Sequence, residues 1–144
     1  MISVCMATYN GEKYLKGQIE TILAQLNPED ELIISDDGST DNTLSVIYSF
    51  KDERIHLFHG GFHSPIYNFE NAIKKAKGDV IFLSDQDDKW LPERVDAALQ
   101  CHYKAGNPAM LAFCRAQVID ENGNPIEDSR YNHLHPTQRS FVRN

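Results

Sequence analysis

The chain has 144 residues and a formal charge of −7, with 21 Asp and Glu against 14 Lys and Arg. That length admits one domain or part of one, and an acidic chain without clustered Lys and Arg argues against nucleic acid and anionic membrane as partners. No window approaches the roughly 20 apolar residues of a membrane span, and no basic segment precedes an apolar core at the N-terminus. The expected place is therefore the cytoplasm, or the inner face of a membrane through a partner. Cys5, Cys101 and Cys114 are odd in number and form no Cys-x-x-Cys pair, so they read as small core residues in a reducing compartment.

Residues 2–7 form an apolar run that predicts an opening strand, and Leu15, Ile19, Ile22, Leu23 and Leu26 then recur at helical spacing until Asn27-Pro28. The same strand-then-helix unit repeats at 32–35 and 44–50. A third strand is expected at 54–58, and after the Gly60-Gly61 turn Phe69, Ala72, Ile73 and Ala76 mark a third helix, with Gly78 as its left-handed cap. Residues 79–83 read as a buried strand. Leu91, Val95, Ala98, Leu99 and His102 mark a fourth helix, 110–119 a further strand region, and Asn122-Gly123 a tight hairpin turn. Strand and helix alternating through four units predict an α/β fold, a mostly parallel sheet with helices on both faces. Residues 1–126 read as the domain and 127–144 as a polar tail.

Two strands end abruptly in carboxylates. After the apolar run at 79–83 come Asp85-Gln86-Asp87-Asp88, and after residues 32–35 come Asp36-Asp37-Gly38-Ser39-Thr40-Asp41. Crowded carboxylates repel unless protonated, solvated or bridged by a cation, and a divalent metal holding a phosphate accounts for the first cluster. Helix capping is the competing account, by Asp88 ahead of Trp90 or Pro92 and by Asp41 ahead of Leu44. Two such strand ends in one parallel sheet open on the same edge, where ligands bind. His133 and His135 lack an evident third metal ligand. His56, His59, His63 and His102 lack a Ser or Cys arrangement for nucleophilic catalysis.

Together these residues resemble glycosyltransferase family 2, whose catalytic domain has the GT-A fold and transfers a sugar from a nucleotide sugar. Residues 3–10, ending Thr8-Tyr9-Asn10, are similar to its first strand and turn. Ser35 to Asp41 resembles its second acidic motif, and Asn68-Phe69 to Asp79 the approach to its Asp-x-Asp motif, here Asp85-Gln86-Asp87. The Ser-Asp-Gln-Asp-Asp wording also resembles a bacterial subset that includes rhamnosyltransferase-like enzymes of surface polysaccharide assembly. The loop at 60–65 departs from the Asn- and Gly-containing turn usual in relatives.

The resemblance implies that Thr8, Tyr9 and Asn10 line the base and ribose pocket and that Asp37 accepts the imide N–H of uracil or thymine. It implies that Asp87 coordinates Mg²⁺ or Mn²⁺, with Asp85 at the metal and nearer the ribose, and Asp88 close to the sugar. The implied donor is a UDP- or dTDP-sugar, the implied acceptor a hydroxyl of a glycan or lipid-linked molecule, and the implied transfer inverting. No motif matches the half of the family that carries the base, since Glu127 and Asp128 read as solvated residues. The base is expected outside this chain, whose last residues would begin an acceptor half. The competing function is a nucleotide-sugar-binding module that does not catalyse. A phospho-acceptor receiver domain fits less well, because the acidic run lacks that domain's lone phosphorylatable Asp.

Overall fold

The computed structural model describes residues 1–106, 111–112, 117–120 and 124–126. The chain divides into two compact units, Met1–Pro92 and Glu93–Asn144. The first holds β1 (Ile2–Thr8), α1 (Glu12–Leu23), β2 (Glu31–Asp36), α2 (Thr43–Ser49), β3 (Ile55–His59), α3 (Pro65–Ile73) and β4 (Val80–Ser84). The second holds α4 (Arg94–Ala105) and an antiparallel bridge between Ile119 and Pro125. That bridge flanks the expected hairpin turn, while Asn122 and Gly123 lie outside the described residues.

The four strands are all parallel, in the order β3-β2-β1-β4. Central parallel strands are covered on both faces, which is why nearly every residue of β1 and all of β2 are buried. Side chains alternate between faces. Cys5 and Ile33 therefore share one face, where Ala72 of α3 packs with Phe58 and Ala76. Val4, Met6, Leu32 and Ile34 share the other with Ser84, and a Gln18–Ser84 hydrogen bond puts α1 there. Leu15, Ile19 and Ile22 of α1 are fully buried, each contributing about 1.5–3 kcal/mol by transfer from water. Helices thus cover both faces, as expected for the α/β class.

Several local expectations need correction. Among the described residues β4 lies at an edge of the sheet, and Ile81 and Leu83 are 44% and 51% exposed rather than buried. They pair with Ser3 and Cys5 and so lie on the face of α3, which packs over β1 and β2. α1 stops at Leu23 rather than at Asn27, because Arg54 donates to the carbonyls of Leu23 (3.1 Å) and Leu26 (2.6 Å). α3 starts at Pro65, whose fixed φ and missing N–H suit the first helical position. It also ends early, with Lys74 as a right-handed cap.

Gly78 is not a left-handed cap. A Cβ there would meet Ser3 N at 2.7 Å and Met1 O at 2.8 Å, so close backbone approach requires glycine. α4 begins at Arg94 with Glu93 as its cap, which removes Asp88 from that role and leaves Leu91 71% exposed. Of the cysteines, Cys5 is buried but Cys101 is exposed. Burial, with the Glu31 charge nearby, pushes the Cys5 thiol up to about 11, so it is an inert core residue. Cys114, Glu127, Asp128, His133, His135 and the whole of 127–144 lie outside the described residues. Among the described residues no helix is long and apolar enough to cross a membrane.

Candidate functional site

β1, β2 and β3 progress in one direction across the sheet, and β4 returns to the other side of β1. At such a switch point the loops leaving the strand ends diverge and open a crevice. A pocket of about 460 Å³ lies there. Thr8 and Tyr9 enter it from the end of β1, Asp37 from the end of β2, and Asp85, Gln86 and Asp87 from the end of β4. His63, Ser64, Asn68 and Phe69 complete it from the loop before α3 and its first turn.

The two acidic turns therefore meet in one site, as their strand positions predicted. Thr8 is buried, and its hydroxyl donates to Asp36 Oδ2 at 2.9 Å. Tyr9 is 53% exposed at the rim. Asp37 is 5% exposed, and its carboxylate accepts from the backbone N–H of Phe62 (2.5 Å) and Ser64 (3.0 Å). Desolvation pushes this carboxyl up, but the N–H groups of Phe62, Ser64 and His63 and the nearby His63 side chain outweigh it and hold it below the ordinary 3.8. His63 takes a left-handed φ of 50°, which curls these consecutive N–H groups into a concave anion nest.

Two candidates stand apart from the pocket wall. Asn10, at φ 49°, ties loops together: its N–H donates to Ser39 Oγ at 2.9 Å and its Oδ1 accepts from Thr40 N at 2.8 Å. Asp88 does not line the pocket. Asp41 serves two helix starts, accepting from Thr43 N at 2.9 Å and from Glu12 N at 3.1 Å. Glu12 returns the contact by accepting from Asn42 N at 2.8 Å, so Asp41 satisfies N–H groups at both helix starts, although the N-cap positions themselves are Asn42 and Gly11.

Sequence reasoning passed over four residues at the site. Asp36 gathers Thr8 and the Gly-Ser turn. Asn68 donates to Thr8 O at 3.2 Å. Gln18 of α1 donates to Ser84 Oγ and to Asp85 O (3.1 Å), and Gln86 spans to Tyr9. Gln18 on an otherwise apolar helix face was the one legible signal, since a buried amide needs partners.

The family model for Glycosyl transferase family 2 matches residues 3–143. The chain belongs to glycosyl transferase family 2. It is 28% identical over 130 residues to the putative teichuronic acid biosynthesis glycosyltransferase TuaG of Bacillus subtilis (strain 168), covering 88% of this chain and 51% of that one. It is 33% identical over 104 residues to the dTDP-rhamnosyl transferase RfbG of Shigella flexneri, covering 67% and 36% respectively. Among solved structures, S. aureus TarS 1-349 in complex with UDP superposes with a TM-score of 0.72 at 26% identity, over 89% of this chain and 38% of that chain. The chain thus spans about half, or less, of the length of these relatives. The GT-A architecture is shared.

The donor set of this family 2 pocket suits a divalent cation that a ligand helps to hold. Among the described residues no group of three His, Cys, Asp or Glu is placed to enclose a metal, yet Asp85 and Asp87 both face the pocket. One or two carboxylates completed by substrate phosphates and water is the usual coordination of Mg²⁺. Among the described residues no Lys or Arg lines the pocket, so that lining offers a bound diphosphate little positive charge.

The carboxyls of Asp37, Asp41 and Asp52 share a pH dependence. Desolvation raises the first two but hydrogen bonds outweigh it, and the Arg54 hydrogen bond lowers Asp52. All three lie below the ordinary 3.8, so their ionised forms stabilise the fold above that value and the contribution is lost as pH falls through the depressed ones. The urea midpoint is expected to hold level from pH 7 to about 5 and to fall below about pH 4. A midpoint that rose on acidification below pH 4 would contradict these contacts.

Proposed function

We propose that the pocket binds a UDP- or dTDP-sugar and that residues 1–126 form the donor-binding part of a glycosyltransferase. The transfer proposed is inverting, to an acceptor hydroxyl of a glycan or lipid-linked molecule in cell-surface polysaccharide synthesis. The observation that carries this reading is the convergence of Asp37 with Asp85 and Asp87 from separate strand ends on one pocket. The teichuronic acid biosynthesis role of TuaG, the dTDP-rhamnosyl transfer of RfbG and the UDP bound by TarS support the same class.

In this reading Asp37 recognises the base. Its carboxylate has about four acceptor positions, and the two backbone bonds from Phe62 and Ser64 leave capacity for an imide N–H. Because those bonds keep it ionised, it only accepts, which suits the ring imide N–H of uracil and thymine and disfavours cytosine, whose N3 is itself an acceptor. Thr8 and Tyr9 flank base and ribose, with Asn10 holding their loop against Thr40. Asp87, with Asp85 beside it, would hold Mg²⁺ or Mn²⁺, which supplies positive charge to neutralise a departing diphosphate. Asp88 is assigned to the sugar's approach, outside the pocket wall. None of the described pocket residues is assigned as the base that deprotonates the acceptor.

The test is a titration of the chain with UDP, dTDP, CDP and GDP in Mn²⁺, read by calorimetry and by the fluorescence of Trp90. This is the only tryptophan, two residues past the acidic turn, with its ring 5.6 Å from Phe82. UDP and dTDP are expected to bind about equally, and CDP at least about tenfold more weakly, the scale of one mismatched buried hydrogen bond, while guanine, whose N1–H can also donate to Asp37, is not distinguished by this contact. Equal binding of UDP, dTDP and CDP would remove Asp37 from base recognition.

A further inference from the structure

The residue between Asp85 and Asp87 makes the most specific contact in the site. β1 and β4 pair as far as Met6 and Ser84, and beyond that the strands part to form the pocket. Across the gap, Tyr9 N donates to Gln86 Oε1 at 2.9 Å and Gln86 Nε2 donates to Tyr9 O at 3.0 Å. One side-chain amide thus takes both backbone groups of Tyr9, as a peptide unit of a neighbouring strand does. The rest of the acidic turn is gripped from α1, where Gln18 donates to Asp85 O.

Gly11 supplies a second, independent sign. Its φ of −105° and ψ of 13° are open to residues other than glycine, so the backbone does not require glycine there. The space does: a Cβ on Gly11 would overlap Gln86 Oε1 and sit 2.6 Å from Gln86 Cδ. Gly11 admits the amide of Gln86 and little else. Because Asp85 and Asp87 are exposed, such anchors set where these carboxylates stand relative to Tyr9.

We propose that Gln86 is a positioning residue, an amide clamp that fixes the acidic turn against the Tyr9 turn and so sets the width of the donor pocket, with Gly11 as the socket that receives it. The proposal rests on the nucleotide-sugar reading above. Gln86 acts through Tyr9, Asp85 and Asp87 rather than by chemistry of its own. Gly11→Ala should evict the amide and reproduce the loss of Gln86, since the displaced atoms are the free end of a flexible side chain.

The test is a double-mutant cycle of Gly11→Ala, Gln86→Ala and the pair, with Gln86→Glu as the near-isosteric variant that cannot donate to Tyr9 O. Mn²⁺-supported UDP affinity and hydrogen exchange at the Tyr9 amide are the readouts, with the thermal midpoint as the control for folding. Each single variant is expected to weaken UDP by about tenfold and to speed exchange at Tyr9. The double variant should be no weaker than either single one. Gln86→Glu should behave like Gln86→Ala. Multiplied losses of about a hundredfold in the pair, or unchanged affinity in Gln86→Ala, would overturn the clamp. Failure of the wild-type chain to bind UDP or dTDP would instead count against the nucleotide reading. In that case unchanged Tyr9 exchange in Gln86→Ala and Gly11→Ala would overturn the clamp, and faster exchange in both would support it.

Discussion

Asp87→Ala is expected to lower the Mn²⁺-supported affinity for UDP by about a hundredfold, and to make the remaining affinity the same in chelator as in Mn²⁺. Among the described residues the pocket is lined by Asp37, Asp85 and Asp87 and by no Lys or Arg, within a chain of net charge −7. Two like charges about 4 Å apart near a protein surface repel by about 4 kcal/mol, whereas a neutral hydrogen bond returns about 1 kcal/mol. Contacts to base and ribose cannot offset that repulsion unless a cation intervenes. Asp88→Ala, one residue away but off the pocket wall, should change the affinity by less than about threefold. Calorimetry with and without chelator separates these outcomes, and wild-type affinity that ignored Mn²⁺ would leave Asp85 and Asp87 as solvated turn residues.

The parallel sheet was legible because its apolar runs at 2–7 and 32–35 end in turn and carboxylate signals, a local pattern that survives into the fold. Whether a run is central or at an edge depends on sheet order, which no single segment carries. Residues 79–83 therefore read as buried in the sequence, although β4 exposes Ile81 and Leu83. Gly78 illustrates a different limit: a glycine after a helix suggests a left-handed cap, but its cause is the backbone of Ser3, 75 residues away in the hydrogen bond from Gly78 N to Ser3 Oγ. The start of α3 was within reach, since Ser64-Pro65 is an ordinary N-terminal signal, but the apolar positions from Phe69 onward outweighed it.

At the site, carboxylates were conspicuous by charge, and Asp37, Asp85 and Asp87 do share a pocket. The amides that position them carry no charge and follow no local period. Gln86 stands at the variable position of an Asp-x-Asp pattern, so its neighbours drew attention to themselves. Asn10 and Asp41 were visible as polar turn residues, but whether such a residue faces a ligand or another loop is decided by contacts about 30 positions away.

Asp36→Ala is expected to destabilise the fold by about 3 kcal/mol, more than Asp37→Ala at about 1 kcal/mol. The two neighbours occupy opposite sides of the chain at the end of β2. Asp36 is 1% exposed and accepts from Thr8 Oγ1 (2.9 Å), Ser39 Oγ (2.5 Å), Ser39 N (2.9 Å) and Gly38 N (3.2 Å). Removing it leaves four donors without their acceptor, among them the fully buried Thr8 hydroxyl, and a stranded buried donor costs more than a lost hydrogen bond that water can replace. The N–H groups of Phe62 and Ser64, which Asp37 holds, belong to an exposed and a half-buried residue of a loop that water reaches. Ser39 also accepts from Asn10 N, so the damage in Asp36→Ala should spread to the Thr8–Asn10 turn and weaken UDP binding along with stability. Asp36→Asn keeps one oxygen, and the hydroxyls of Thr8 and Ser39 can rotate to accept from its amide, so it should cost less than half as much. Urea denaturation of the three variants checks the order. Equal loss in Asp36→Asn and Asp36→Ala would mean that the negative charge itself, rather than the acceptor geometry, holds the turn together.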